Sequence, residues 1–470
     1  MPQRTTSAHR VIIGDFKQSI LQAREIDEPP EKEIINFRRD IHEGNKRTVY
    51  KVPLEYLRYR LNNSRLNAEV LTYQKSNEVL SEKNDDHQKM VGEWLTKADP
   101  DNMDRLVNDM RLNGQTDVAI CTCDGFLING NRRRKALDIL FAEKHQQKYN
   151  IMRVVVLPSG IKEEYGPGDN PKKMEIQQIE YACQVQATGR SKYSGINTAL
   201  LYNKNIVMDY SLEAQLRNDP QYNHLGTRAF NKIVKDTTND HLLPLKEVDA
   251  YLAYFKRAEQ YTSVSQGGDR DEGRWQAFKD WSEFNRIHLQ DNNKLMQLGL
   301  TKKDIVNIRK IAFKIIRQRE LGQAGKVHNF IRSLKNILPI TYIKRELLKL
   351  DDDLVPPNSP AEEQIDSDGN PLNIEELDKR WRGKYGEQII NIAKKCKSAL
   401  DHDDETKKPV TLLEASLAKL THEKMHTEVD TQENNNCLKL CEKISDKAIE
   451  LKSGFDHNRM RLQKLSKMKN

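Results

Sequence analysis

Apolar positions alternate in short runs through the first third of the chain and fall at helical spacing over most of the remainder. Residues 1–45 are polar and irregular, with Glu28-Pro29-Pro30-Glu31 among mixed charges, and predict a flexible lead-in with one helix. Residues 48–57 (TVYKVPLEYL) read as a strand that turns at Pro53, and Asn62-Asn63-Ser64-Arg65 as a polar loop ending in an arginine. Residues 67–113 are helical in pattern. Asp99-Pro100 opens a helix with Met103, Leu106, Val107 and Met110 on one face, and Gly114 stops it. Residues 118–123 predict a strand, Asp124-Gly125 a hairpin turn, and Phe126-Leu127-Ile128 the returning strand. A helix over 136–144, a buried strand over 151–157 (IMRVVVL), a Gly/Pro loop over 161–173 and a helix over 174–182 follow. A second polar turn runs from Gln184 to Arg190, and 194–207 is helical again.

Beyond residue 205 the pattern is helical. One helix over 212–216 is broken at Asn218-Asp219-Pro220, and 225–235 (LGTRAFNKIVK) reads as a turn and a second helix. Trp275, Phe278 and Trp281 recur at three-residue spacing, as a core stripe does. Lys302, Lys303, Arg309, Lys310, Lys314, Arg317 and Arg319 read as a solvated basic face, with phosphate contact as the sharper alternative. Residues 351–372 read as a linker. Leu412, Leu413, Leu417 and Leu420, then Leu438, Ile444, Ile449 and Leu451, predict two helices that pair with each other or with a partner.

The boundaries follow: a lead-in (1–45), an α+β domain with a small mixed sheet (46–205), a helix-turn-helix-like module (206–262), a basic helical domain (263–350), a linker (351–372) and a C-terminal helical segment (373–470). A charged fraction of 31% beside 37% hydrophobic residues accounts for long solvated helices, while a net charge of +8 permits a polyanion partner without demanding one. Six cysteines, no apolar core of a signal peptide and no membrane-length run give the expectation of a cytoplasmic protein with no membrane partner.

The stretch 124–137 (DGFLINGNRRRKAL) concentrates the chemistry. Gly130 lets the backbone turn tightly, amides at a helix start favour an anion, and Arg132 and Arg133 add charge-assisted donors, both expected exposed. The blander reading is a solvated basic helix start. Cys121 and Cys123 lack zinc-knuckle spacing and read as buried strand residues.

Hairpin, Gly-x-Arg-Arg-x-x-Ala turn, helix, strand and arginine-containing turn, in that order, resemble the ParB N-terminal domain of the ParB/sulfiredoxin superfamily over about residues 47–260. Gly130, Arg132, Arg133 and Ala136 match its phosphate-binding box, with Asn131 where that family often has glutamate. Residues 52–65 resemble the opening segment that ends in an arginine, here Arg65. Gln186 to Arg190, followed by Tyr193 and Ala199, resembles the second box. There Gln186 and Ala187 stand where the family has Glu-Asn, which puts metal binding and hydrolysis in question. The resemblance implies a nucleoside triphosphate, CTP or ATP with Mg²⁺, held by Arg65, Gly130, Asn131, Arg132, Arg133, Gln186 and Arg190. It also implies DNA contacts from Thr227, Arg228, Asn231 and Lys232, and a homodimer made by the C-terminal helices.

Three functions remain open. The first is a nucleotide-responsive, ParB-like DNA-binding protein of partition, regulation or phage defence. The second is an enzyme on the same scaffold, a nuclease or slow NTPase, with no catalytic residue assigned. Sulfinic-acid reduction is rejected because Asn131 stands where the reactive cysteine would be, and Asp124, the nearest carboxylate, is explained by its turn. The third is a non-catalytic scaffold that recruits partners. Residues 364–375 match a calcium loop poorly, with Gln364 first and Pro371 eighth. His422 and His426 with Cys437 and Cys441 place two pairs at four-residue spacing, but zinc is not expected.

Overall fold

Two-residue alternation builds a mixed six-stranded sheet from β1 (Lys32–Ile34), β2 (Lys46–Pro53), β3 (Arg58–Tyr59), β4 (Ala119–Thr122), β5 (Phe126–Asn129) and β6 (Ile151–Leu157). The order is β1-β2-β6-β4-β5-β3, with β6/β4 and β5/β3 parallel and the other pairs antiparallel. The computed structural model describes residues 12–35, 37, 46–76, 79–157, 171–185, 195–219, 221–265, 274–365, 372–420 and 431–467. The chain divides into two compact units, 1–397 and 398–470.

The hairpin β4–β5 turns at Gly125, whose φ is +82°. A Cβ there would lie 2.1 Å from the Tyr56 carbonyl oxygen, so the tight turn requires glycine. The buried Asp124 carboxylate accepts the Thr122 hydroxyl at 2.6 Å and the Ile13 amide at 3.0 Å, tying the N-terminal segment to the turn. Cys121 and Cys123 are buried on this hairpin.

Helices cover both sheet faces. After α1 (Gly14–Ala23), four helices lie on one face: α2 (Asn67–Ser76), α3 (Asp85–Lys97), α4 (Pro100–Asn113) and α5 (Asn131–Lys144). Their Leu95, Met103, Val107, Met110, Leu137 and Leu140 pack on Val52, Met152, Val154 and Val156. The opposite face, with Val49, Ile120, Ile128 and Val155, meets Ile176 and Ile179 of α6 (Lys173–Val185). Next comes α7 (Gly195–Val207).

A small satellite core of Leu212, Leu216 and Phe230 joins α8 (Leu212–Arg217) to α9 (Thr227–Thr237). A π-helical turn at Thr238–Leu242 carries α9 into α10 (Leu243–Tyr254). Behind it lie α11 (Thr262–Ser265), α12 (Arg274–Phe284), a second π turn at Asn285–Leu289, α13 (Asn292–Gln297), α14 (Asp304–Gln318), α15 (Val327–Ile337) and α16 (Thr341–Leu348). Trp275, Phe278 and Trp281 are buried, as the aromatic spacing suggested. The longest helices are α17 (Ile374–Leu420) and α18 (Thr431–Lys467).

The basic stretch 302–319 is corrected. Only Lys302 and Lys303 are exposed. Arg309 bonds Glu247 at 2.8 Å, and Lys310 and Lys314 each reach Asp352 at 2.8 Å. Arg317 bonds Asp378 at 2.9 Å. The described part of 351–372 is also anchored, since Val355 is buried and the Trp381 indole donates to the Pro356 carbonyl at 2.8 Å.

Asp378 of α17 is fully buried. It accepts Arg257 at 2.6 Å, Arg274 at 2.8 Å and Arg317 at 2.9 Å, and so joins α12, α14, α17 and the turn after α10. Burial alone would raise its pKa, but the guanidiniums of Arg274, Arg257 and Arg317 hold it well below the usual carboxylate range. Its stabilising charge is therefore complete above about pH 4 and is lost as pH falls further. Asp378→Ala should lower unfolding stability by about 3–5 kcal/mol by chemical denaturation. Asp351→Ala, which removes an exposed bond to the Leu354 amide, should change it by under about 1 kcal/mol.

Candidate functional site

The parallel pair β3/β5 fixes where two of the arginine turns emerge. The register Arg58↔Phe126 and Tyr59↔Leu127 sends both chains out at the same end of the sheet. From β3 the chain enters residues 60–66; from β5 it enters Gly130 and α5. Clefts beyond the carboxyl ends of parallel strands suit ligands because turns and helix starts converge there.

Gly130 has φ +100°, and a Cβ on it would sit 2.6 Å from the Ala119 Cβ. The helix begins at Asn131, five residues before the expected Ala136, so all three arginines lie in its first turns. Gly130 contributes no side-chain cap, and the first turn of α5 carries three cationic side chains in succession.

The arginines are not equivalent. Arg132 was expected exposed and is largely covered: its Nη1 lies 3.5 Å from Asp99 Oδ2 at the start of α4, and its side chain is 17% exposed. Arg133 was expected exposed and is not: it is buried, and its guanidinium donates to the Asp117 and Val118 carbonyls beside β4. Arg134 stacks over the Tyr59 ring at 4.3 Å and pairs with Asp138 at 3.2 Å. Asn131 is buried; its Nδ2 donates to the Leu127 carbonyl at 3.4 Å, while its Oδ1 has no partner.

The other turn is bound to α6 and α7. The Arg65 carbonyl accepts Asn197 Nδ2 at 2.7 Å, and Asn197 Oδ1 accepts the Ala68 amide at 3.0 Å. These bonds hold the first turn of α7 against residues 65–68. Arg60, at the end of β3, pairs with Glu180 of α6 at 3.1 Å, and the other Glu180 oxygen takes the Ser64 amide at 2.7 Å. Gln186, Arg190 and Tyr193 lie outside the described residues, as do His422, His426 and residues 366–371.

Around this pair lies a set of buried polar atoms without a hydrogen-bond partner among the described residues: Arg60 Nη1, Ser64 Oγ, Asn67 Nδ2, Glu69 Oε2, both amide atoms of Gln177, and Lys204 Nζ. Folded interiors leave few such atoms unsatisfied, so their concentration marks a place built to receive polar groups. Burial raises the Glu69 carboxyl to about 7, and burial lowers the Lys204 ammonium to about 8 against the opposing pull of Glu180. Sequence reasoning missed Arg60, Gln177, Glu180 and Lys204. The available signal was Glu180 next to Ile179 on the apolar side of α6, a charge where the helical pattern asks for an aliphatic residue.

Thr227, Arg228, Asn231 and Lys232 are all exposed on the first turns of α9. Phe230 between them is buried beneath the Arg217 guanidinium, 3.5 Å from its ring centre. Among the described residues, no group of three or more His, Cys, Asp or Glu side chains is arranged to hold a metal ion, and no helix is long and apolar enough to cross a membrane.

Lys204 gives a test with a worked sign. Its ordinary pKa lies above the folded value, so the folded state binds the proton less well and loses stability wherever the lysine is charged. Lys204→Met should raise stability by ~2 kcal/mol at pH 7, and the gain should shrink as pH approaches 10. Melting curves at the two pH values check this; a Tm gain that is the same at both would sink it. No protein-family model, curated protein or solved structure matches the chain.

Proposed function

We propose that the chain is a ParB-like DNA-binding protein whose N-terminal domain holds a nucleoside triphosphate, CTP or ATP with Mg²⁺, and whose α8–α9 module meets DNA. The observation that carries this reading is the delivery of the Arg65 turn and the Gly130–Arg133 turn to one end of the sheet by the parallel β3/β5 pair. The partnerless Lys204, Arg60, Ser64 and Gln177 atoms at that end supply donors that suit a phosphate chain.

Holding is favoured over cleavage. Glu180 is occupied by Arg60 and the Ser64 amide, which leaves it poorly placed to activate water, and burial holds the Glu69 carboxyl up at about 7, so that it is partly protonated at neutral pH. Arg132 is assigned to phosphate, whereas Arg133 fastens α5 to the strand beside it. On α9, Thr227, Arg228, Asn231 and Lys232 are assigned to DNA, with Phe230 packing the helix onto α8. In the second unit, Leu438, Ile444, Leu451 and Phe455 of α18 are exposed. Cys441, Ile444, Ala448, Leu451 and Phe455 follow alternating three- and four-residue steps, the spacing of a coiled-coil seam, and are assigned to a homodimer.

Labelled CTP, ATP and GTP titrated at up to millimolar concentration, with and without DNA, test the reading; no binding under any condition removes the nucleotide. Arg132→Ala should weaken nucleotide binding about tenfold or more and leave the fold intact, whereas Arg133→Ala should destabilise the protein. Arg228→Ala and Lys232→Ala should spare nucleotide binding and each reduce the slope of log affinity against log salt for DNA by about one. Ile444→Glu with Leu451→Glu should halve the mass measured by light scattering.

A further inference from the structure

Among the described residues, the Asp378 cluster carries more positive charge than it balances. Arg257, Arg274 and Arg317 bond its carboxylate, Arg319 Nη2 lies 3.8 Å from Oδ2, and Arg382 Nε donates to the Asp378 backbone carbonyl at 3.3 Å. Among the described residues, Asp378 is the one carboxylate that forms ion pairs with Arg257, Arg274, Arg317 and Arg319. Three of the five arginines are more than nine-tenths buried. Burial and the neighbouring guanidiniums push Arg317 and Arg319 down to about 10, the mark of cations that face one another.

Partnerless polar atoms gather at the same place. Arg274 Nε and Arg319 Nε are buried without an acceptor. Ser359 Oγ, two residues after the Pro357 carbonyl that accepts Arg317, is also buried without a hydrogen-bond partner, and Gln318 Oε1, between two of the arginines in sequence, is an acceptor without a donor. Aromatic rings account for part of the arrangement: the Arg317 guanidinium stacks on Trp381 at 4.3 Å and on Phe255 at 4.6 Å. Stacking relieves desolvation of a guanidinium face but supplies no negative charge and accepts no N–H in the guanidinium plane.

We propose that this cluster is a binding site for a small, multiply charged oxyanion of the phosphate class, seated against the guanidiniums of Arg319 and Arg382. These two side chains are the ones of the five with part of their surface open, Arg319 being 20% exposed. The anion completes the charge balance that Asp378 begins and locks α12, α14 and α17 together. It is distinct from the site at the ends of β3 and β5, so nucleotide binding there neither requires nor excludes it.

The test uses the full chain and inorganic pyrophosphate, with inorganic phosphate as the weaker probe and sodium chloride at matched ionic strength as the control. Pyrophosphate should raise the Tm saturably, and equilibrium dialysis with labelled pyrophosphate should show a component that survives Arg132→Ala. In that Arg132→Ala background, Arg319→Ala and Arg382→Ala should each weaken this component about tenfold or more with the circular dichroism spectrum unchanged. Should either variant misfold, Arg319→Lys replaces it, keeping the charge but losing the planar donor set, and should still weaken pyrophosphate severalfold. No saturable binding overturns the proposal, as does binding abolished by Arg132→Ala alone. Asp269, Asp271 and Glu272 precede Arg274 in the chain; if carboxylates of the protein balance the cluster, pyrophosphate will change nothing.

Discussion

Buried carboxylates that each collect several donors hold the helical half of the first unit together, Asp378 foremost. Asp378 reaches guanidiniums from α12, α14 and the turn after α10. These residues are separated from Asp378 by 61 to 121 positions in sequence. Charges in such an interior are tolerated only with good geometry and further hydrogen bonds. Those bonds are present: Arg274 also reaches the Tyr251 hydroxyl at 2.9 Å, and Arg317 the Pro357 carbonyl at 2.5 Å. The same logic recurs nearby, where Asp352 collects Lys310, Lys314 and Tyr254, and Glu247 collects Arg309, Trp281 and Asn285. The helical region is thus organised by three acidic hubs set among aromatic rings.

The sheet domain is organised differently. Its faces are apolar, and the arginine turns lie at one end, where strands stop and helices begin. Buried Arg60 and Glu180 bridge the edge strand to α6, and Asn197 ties α7 to the turn that carries Arg65. A rigid scaffold thereby presents a patch of donors whose own hydrogen bonds are incomplete. Such a patch is stable in the free protein only at some cost, and a ligand that satisfies it is bound with less reorganisation.

Much of the sheet was legible because its signals are local. Two-residue alternation located β4, β5 and β6 within a residue or two, and Asp124-Gly125 marked the hairpin. Gly130 was legible as a tight turn because glycine alone enters positive φ without cost. What escaped was non-local. Neighbouring arginines look alike in a sequence, yet Arg132 meets Asp99 across the helix pair while Arg133 folds back on strand carbonyls. The charges of 309–319 resembled a solvated face because their partners, Glu247, Asp352 and Asp378, lie about 40 to 60 residues away. Lys204 and Gln177 gave no signal, since polar residues on a helix usually face water.

The π turn at Thr238–Leu242 bears on how α9 presents its residues. One extra residue in a helical ladder rotates everything beyond it by about 100°. The segment before the turn packs Phe230 on α8, and the segment after it packs Leu245 and Val248 in the interior. The turn therefore works as a phase adjuster between two bodies that impose different rotational settings on one continuous rod. The azimuth of Arg228 and Lys232 around α9 is inherited from that adjustment as much as from their own positions. In descendants of this chain, a one-residue deletion at the π turn would be a route to re-aiming a basic surface without altering a single side chain on it.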